Sequence, residues 1–316
     1  MANEVLNSGF VTNGGRTAEV LAGVIAEALH DPVDLRAAMV RVPWTAAGSA
    51  SLEVLVDAAP GAGAADGSEI AGPANSAYTT AGKTLTIAGY SRLHAISDLF
   101  GVTAGAGATV DARVIAAKLS RSLGLTMTDL VTALFASLNG GTPVGSTTVN
   151  LSTSDLYSAM YTLMLANVPI GPSQPAFLVL HPQQFTDFMS SLRGEQGSDS
   201  LQADTAAALR FAGPGYKGVW KNLSCWTSDS CPTANAGADR VGAMFGYGTF
   251  AYTLGDVRPL VGMHIAPDDV IAVTEEMVIE RRRSTTADPQ SFLSVRYFPG
   301  VVEVQDAGGV SIVTDA

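Results

Sequence analysis

The chain has 316 residues, enough to bury a substantial core without disulfide or metal staples. Its net charge of -11, from 18 Lys and Arg against 29 Asp and Glu, gives a field of the wrong sign for a protein that coats duplex nucleic acid. Charged residues make up 15% and hydrophobic residues 47%, with 33 glycines, which leaves much of the surface apolar or neutral. Two explanations fit this composition: a low-complexity habit of the source genome, or an exterior covered by copies of itself.

The opening MANEVLNSGF has neither a positive n-region nor an apolar h-region, so no secretory signal is expected. The most apolar early stretch, Val20 to Leu29, is interrupted by Glu27, preceded by Glu19, and too short to cross a bilayer. Residues 1–16 read as an arm with no core of its own. Thr17 then caps a helix through Val20, Leu21, Val24, Ile25 and Leu29, which the Asp31-Pro32 step ends. Met39, Val40 and Val42 are extended up to Pro43. Leu52 to Val56 and Thr84 to Ile96 read as strands, and the segment between them is nearly free of large apolar residues. Two strands joined in this way make a projecting hairpin, whose loop needs contacts from elsewhere to offset its conformational entropy.

Asp111 to Asn139 carries Ile115, Leu119, Leu123, Met127, Leu130, Leu134 and Leu138 at spacings of three or four, the pattern of one apolar helix stripe. At 1.5 Å per residue such a helix spans roughly 40 Å. Leu138 to Gly141, LNGG, is its stop signal. A second amphipathic helix follows from Ser154, with Leu156, Tyr157, Met160, Tyr161, Leu163 and Met164 expected on one side and Asp155 at its positive end. Pro175 to Pro182, PAFLVLHP, reads as a short buried strand, and Pro182 opens a helix carrying Phe185, Phe188, Met189 and Leu192. Beyond Gly213 the chain is β-rich: strands are expected at Val241 to Tyr247, Val257 to Val261, Val270 to Ile279 and Phe292 to Phe298. The last of these is expected to pair with Val301 to Val304 or with earlier segments, and Gly308-Gly309 to turn a hairpin into Val310, Ile312 and Val313. A helix-rich middle between β-rich ends suggests one domain inserted into another.

Motifs for chemistry are scarce. AYTTAGKT, Ala77 to Thr84, is one glycine short of a phosphate loop and is followed by β-like sequence, where a phosphate loop needs a helix N-terminus. Gly61, Gly63 and Gly67 miss the dinucleotide spacing, with Asp66 in the position that matters. The four histidines, His30, His94, His181 and His264, form no HxxxH or HExxH motif, and no serine sits in a nucleophile elbow. His181, between a buried strand and Pro182, is placed to cap a helix or to serve a site. Glu275, Glu276 and Glu280 beside Arg281, Arg282 and Arg283 read as a solvated strand ladder, since strand neighbours face opposite ways. Cys225 and Cys231 permit a small disulfide loop, although buried free thiols are the default in a reducing compartment, and they supply only half of a zinc site. No catalytic, cofactor-binding or metal-binding residue is assigned.

The order of these parts resembles the major capsid proteins of tailed bacteriophages, the Hong Kong 97-type capsid fold. Thr84 to Gly101 looks like the returning strand of that fold's extended hairpin loop. Asp111 to Gly140 looks like its spine helix, Ser154 to Gly194 like the helix, strand and helix of its axial domain, and Ile271 to Asp315 like its closing strands. The resemblance implies an α+β fold with an arm and helix at 1–44, a hairpin loop at 45–96, a peripheral domain at 97–140 and 257–316, and an axial domain at 141–256. It also implies a non-enzymatic shell protein. Its partners are copies of itself in hexamers and pentamers, with room for scaffolding, portal and decoration proteins. The shell assembles in the host bacterial cytoplasm and encloses double-stranded DNA without reading its sequence and without a membrane.

Two features depart from some relatives. The sequence begins at the arm, so scaffolding is expected from another protein or from earlier processing. Lys83 is the hairpin's only lysine, and no asparagine lies in the closing strands, so covalent cross-linking between subunits is not expected. The alternatives are an encapsulin-like nanocompartment shell and, from a different class, a monomeric hydrolase or binding domain with a site near His181.

Overall fold

The computed structural model describes residues 35–44, 49–56, 79–97, 125–171, 176–194, 215–273, 276–283 and 290–315. The expected helix at 17–29, the arm, the tip of the hairpin loop and the first half of the expected long helix lie outside the described residues.

At the centre is a sheet ordered β15 (Gly309–Asp315), β9 (Asp239–Phe245), β5 (Ala176–Leu180), β7 (Leu223–Thr227) and β6 (Tyr216–Trp220), with β8 (Thr233–Ala234) added to β9. β5 runs parallel to β7 and antiparallel to β9. The sequence AFLVL of β5 has no polar residue because both faces of the sheet are covered, and all five residues are buried. Alternation sorts them: Ala176, Leu178 and Leu180 join Met244, Val310 and Ile312 in one apolar cluster, and Phe177 and Val179 join Val241, Ala243, Phe245 and Val313 in another.

The first of these faces lies under two helices, α2 (Thr153–Leu165) and α3 (Pro182–Gly194), which contribute Leu156, Ala159, Met160, Leu163, Phe188 and Leu192. α2 begins with a capping box. Ser152 Oγ accepts from Asp155 N–H, and the Asp155 carboxylate accepts from Ser152 N–H at 3.0 Å. Such a cap is worth about 1 kcal/mol. The α2 surface differs from expectation: Leu156, Met160 and Leu163 face the sheet, whereas Tyr157, Tyr161 and Met164 do not. The two sets are stripes offset by about 100° around a 3.6-residue turn, and one sheet can cover only one of them.

The other face meets Met127, Val131, Phe135 and Leu138 of the segment that closes the expected long helix. α-Helix is observed at 125–132 as α1 and gives way to a turn and a 3-10 segment, Phe135–Gly141. Regular helix therefore stops seven residues short of Asn139. Leu138 is already extended, and Asn139 and Gly140 take left-handed φ of 56° and 61°, the conformation expected of a C-cap. The buried stripe is also turned by one residue: Val131 and Phe135 are fully buried, while Leu130 and Leu134 are half-buried.

Beside the central sheet are two smaller ones. One is β1 (Val40–Arg41), β10 (Phe250–Leu254) and β14 (Pro299–Glu303), and the other is β11 (Val270–Val273), β12 (Met277–Arg283), β13 (Gln290–Tyr297) and β4 (Tyr90–Ser97). Four rings join the pieces. Phe245 lies 5.9 Å from Phe135, 5.8 Å from Phe177 and 5.0 Å from Phe250, which locks the end of the helical segment, the central sheet and β10 into one core.

Several expectations at the β-rich end change. Val257 to Val261 is not a strand: Val257 is a buried loop residue, and a single tight turn, Leu260–Met263, follows, with Gly262 at φ 88°. Val270 to Ile279 is two antiparallel strands, β11 and β12. β13 pairs with β12 and β4, and β14 pairs with β10, so Phe292 to Phe298 finds the earlier segments and not Val301 to Val304. Gly308-Gly309 turns no hairpin. β14 and β15 belong to different sheets, and β15 pairs in seven-residue register with β9. The last strand thus returns to the central sheet that also holds β5 and β9.

Candidate assembly surfaces

The segment expected as one strand from Thr84 to Ile96 is two strands: β3 (Thr79–Thr86) and β4, separated by residues 87–89. β3 forms an eight-residue antiparallel pair with β2 (Ser49–Val56), and β4 joins β13 in another sheet. The chain thus leaves the body on β2, returns on β3 and enters the body again at β4. Eight residues at about 3.3 Å make a ribbon roughly 26 Å long. Among the described residues β2 pairs only with β3.

The ribbon is fastened at its base. Leu85 is fully buried, Ala88 N–H donates to Pro299 O at 3.1 Å, and Lys83 Nζ lies 4.0 Å from Glu303 Oε1. Gly300 of β14 presses against β3: a Cβ there would fall 2.6 Å from Thr86 O, so no larger residue fits without moving the ribbon. The AYTTAGKT stretch lies largely on β3, which leaves it neither the loop nor the helix N-terminus that a phosphate would need.

A second surface is the outer face of α2. Tyr161 is 63% exposed, Leu165 65%, Met164 54% and Tyr157 40%. With Ser154, Ser158 and Thr162, the two tyrosines line an open groove of about 540 Å³. Tyr157 is backed by Trp220, 5.4 Å away, which in turn packs edge-on against Phe188 at 5.2 Å. The platform beneath the groove is therefore part of the core.

A third concavity, of about 300 Å³, is lined by Arg41, Pro43, Trp44, Leu254, Asp256, Arg258 and Glu276. Two of its charged groups, Asp256 and Glu276, are paired with arginines. Arg258 grips Asp256 with contacts down to 2.7 Å and holds that carboxyl below its usual range, and Arg36 reaches Glu276 at 3.4 Å.

Of the residues singled out for chemistry, His181, Glu280, Cys225 and Cys231 are built into the described fold. His181 caps α3: its Nδ1 accepts from Gln183 N–H at 3.2 Å, and its own N–H donates to Gln184 Oε1 at 3.1 Å. Burial, helped by nearby Arg240 and opposed by Asp229, holds the imidazole below its ordinary pKa, which keeps the accepting nitrogen unprotonated. Gln184, which sequence reasoning passed over, is fully buried and ties three elements together. Its Nε2 donates to Arg240 O, Ile312 O and Thr314 Oγ1 at 3.0, 3.3 and 2.9 Å. The one sequence signal for it is a polar residue beside an apolar helix stripe, opposite Gly242, where any Cβ would fall 2.9 Å from Gln184 Oε1.

Glu280 is not part of a solvated ladder. It is 2% exposed and receives both Nε and Nη2 of Arg296 on Oε1, at 2.9 and 2.7 Å. Cys225 and Cys231 are free and buried, and burial pushes both thiols up to about 12, so they are inert. Among the described residues no group of acidic, His and Cys side chains could hold a metal, and no helix is long and apolar enough to cross a membrane.

No protein-family profile and no curated protein sequence matches the chain. Solved structures do. The capsid of Ralstonia phage GP4 superposes with a TM-score of 0.57 over 88% of this chain and 87% of its own, at 13% identity. The capsid of cyanophage P-SCSP1u gives 0.54 over 87% and 86%, at 12% identity.

The chain has the fold of tailed-phage capsid proteins. The likeness extends to the SrpI encapsulin of Synechococcus elongatus, with a TM-score of 0.54 over 89% of this chain and 86% of that one, at 9% identity. At these identities side-chain identity is largely lost, while the path of the backbone is kept over nearly the whole chain.

Proposed function

We propose that this chain is a major capsid protein, which self-assembles into the icosahedral head that encloses the double-stranded DNA of a tailed bacteriophage. The observation that carries the reading is the whole-chain likeness to phage capsid subunits, about nine-tenths of both chains in each case. The ribbon and the outer face of α2 support it. A closed assembly of identical subunits gives a two-stranded ribbon and an exposed apolar helix face a surface to rest on.

In this reading residues 1–44 are the arm, 45–96 the extended hairpin loop, 97–140 and 257–316 the peripheral domain with its spine helix, and 141–256 the axial domain, in the Hong Kong 97-type arrangement. The protein builds a wall and performs no catalysis. Its net charge of -11 suits a wall that confines packed DNA without gripping it. Hexamers and pentamers of the chain, formed in the host cytoplasm and retained in the virion, are the working form, with scaffolding, portal and decoration proteins as further partners.

The test is expression of the full chain followed by electron microscopy and nucleic-acid analysis of the product. Icosahedral particles are expected, with DNA inside those recovered from an infection. A monodisperse monomer under every salt and scaffold condition overturns the reading. Particles packed with an enzyme in place of a genome favour the nanocompartment suggested by the encapsulin likeness. Deleting residues 59–78 is expected to leave a folded subunit that no longer forms particles.

A further inference from the structure

We infer that the outer face of α2 is a contact between copies of this chain, with Tyr157 and Tyr161 as its anchors. The inference rests on the shell reading above and adds to it the surface used.

Four observations lead there. The face is apolar and exposed: Tyr161, Met164 and Leu165 are all more than half exposed, on a stripe of α2 turned about 100° from the one that carries Leu156 and Leu163. Two of its hydroxyls are already engaged within the helix. Ser158 Oγ donates to Ser154 O and Thr162 Oγ1 to Ser158 O, both at 3.0 Å, so covering them strands no donor. The platform is also rigid, because Tyr157 leans on Trp220 and Trp220 on Phe188. An aromatic anchor that is already immobile loses little entropy on burial, which is the property of residues that dominate interfaces.

The fourth observation, charge, identifies the occupant. The groove-lining residues Ser154, Tyr157, Ser158, Tyr161 and Thr162 carry no charge, and neither do Met164 and Leu165. Nucleic acid needs cationic donors, which this face lacks. A membrane-binding helix presents Lys and Arg beside its apolar stripe, and α2 has no basic residue in its last turn. Copies of a chain with net charge -11 repel one another wherever their acidic surfaces meet, so a charge-free apolar face is where two of them can close with least cost. A specific interface takes about 800 Å² from each partner. One helix face is smaller than that, so α2 forms the centre of the contact, with neighbouring loops as its rim.

The experiment uses the full chain in two forms. In the first, a photoreactive phenylalanine analogue replaces Tyr161, and assembled particles are irradiated. The expected product is a covalent dimer whose cross-linked peptides both come from this chain, one of them containing position 161. In the second, Tyr161→Glu and Leu165→Glu are combined. Because both side chains are exposed, the thermal midpoint and far-ultraviolet spectrum should match those of the unmodified chain, while particle yield falls by about tenfold or more, the effect of roughly 1.4 kcal/mol per contact.

Particles at full yield from the double variant, or cross-links confined within one chain or to another protein, overturn the inference and leave the shell reading intact. If the double variant is misfolded, the cross-linking result decides alone. If the unmodified chain itself never assembles, the shell reading fails first, and the inference falls with it.

Discussion

The central sheet and the β2–β3 ribbon are both built from paired strands, but they keep their shape by different means. In the central sheet every residue of β5 is buried between α2 and α3 on one side and the Phe135, Phe177, Phe245 and Phe250 cluster on the other. In the ribbon the pairing is eight residues long, yet at its described base only Leu85 is buried, between exposed Thr84 and Thr86. An isolated two-stranded ribbon is marginal in water. The lesson is that the sheet carries its own stabilisation within the subunit, while the ribbon is held at its base by β14, and in the proposed shell a neighbouring copy would supply the rest.

The comparison can be broken most directly by cutting into each region and measuring urea unfolding. Phe245→Ala removes the ring shared by three others and should cost about 3–5 kcal/mol of subunit stability. The ribbon deletion at 59–78 should cost far less. Equal losses would mean that the ribbon belongs to the same cooperative unit as the sheet.

The buried ion pair comes next. Glu280→Gln leaves the Arg296 guanidinium, 18% exposed, without its carboxylate, and should cost about 3 kcal/mol, whereas replacing both by leucine should be close to neutral. If the double variant is as damaged as the single, the pair is holding more than its own charge.

Gly300→Val sharpens the account of the ribbon base. Its side chain must displace the Thr86 carbonyl, at a cost of about 1–3 kcal/mol, and assembly should suffer more than subunit stability. Normal particles from this variant would show that the β14 seat does not aim the ribbon.

The smallest expected effect is a pH dependence. His181 has a folded pKa depressed below its ordinary 6.5, so its contribution is complete above that pH and is lost as pH falls through the folded value, when the imidazole must protonate and can no longer accept from Gln183 N–H. Stability measured across that window should decline on acidification, and His181→Asn should flatten the decline. An unchanged slope would mean that other groups carry it.

Periodicity made most of the described framework readable in advance. The apolar run at 176–180, the Pro182 start and Asp155 in the first turn of α2 lie where the sequence placed them, and LNGG takes the left-handed turn of a stop although regular helix ends earlier, because each signal is local: a helix cap, a fixed φ, a side-chain alternation. The errors arose where the answer depended on a distant partner. Tyr157 and Tyr161 satisfy the same 3.6-residue rhythm as Leu156 and Met160, and only the position of the central sheet decides which pair is covered. Glu280 looked like one of a row of solvated charges until β13 brought Arg296 beside it.

By itself, then, the sequence determined the acidic, charge-poor character of the chain, the lack of catalytic motifs, the amphipathic helices and the coreless loop between β2 and β3. Those follow from composition and from interactions spanning a few residues. The tertiary structure alone decided that β3 and β4 part into separate sheets, that β14 and β15 part as well, and that the last strand closes the central sheet against β9. Strand pairing joins residues far apart in the chain, and the choice among apolar partners of similar propensity is made by which arrangement buries both faces of the sheet at once.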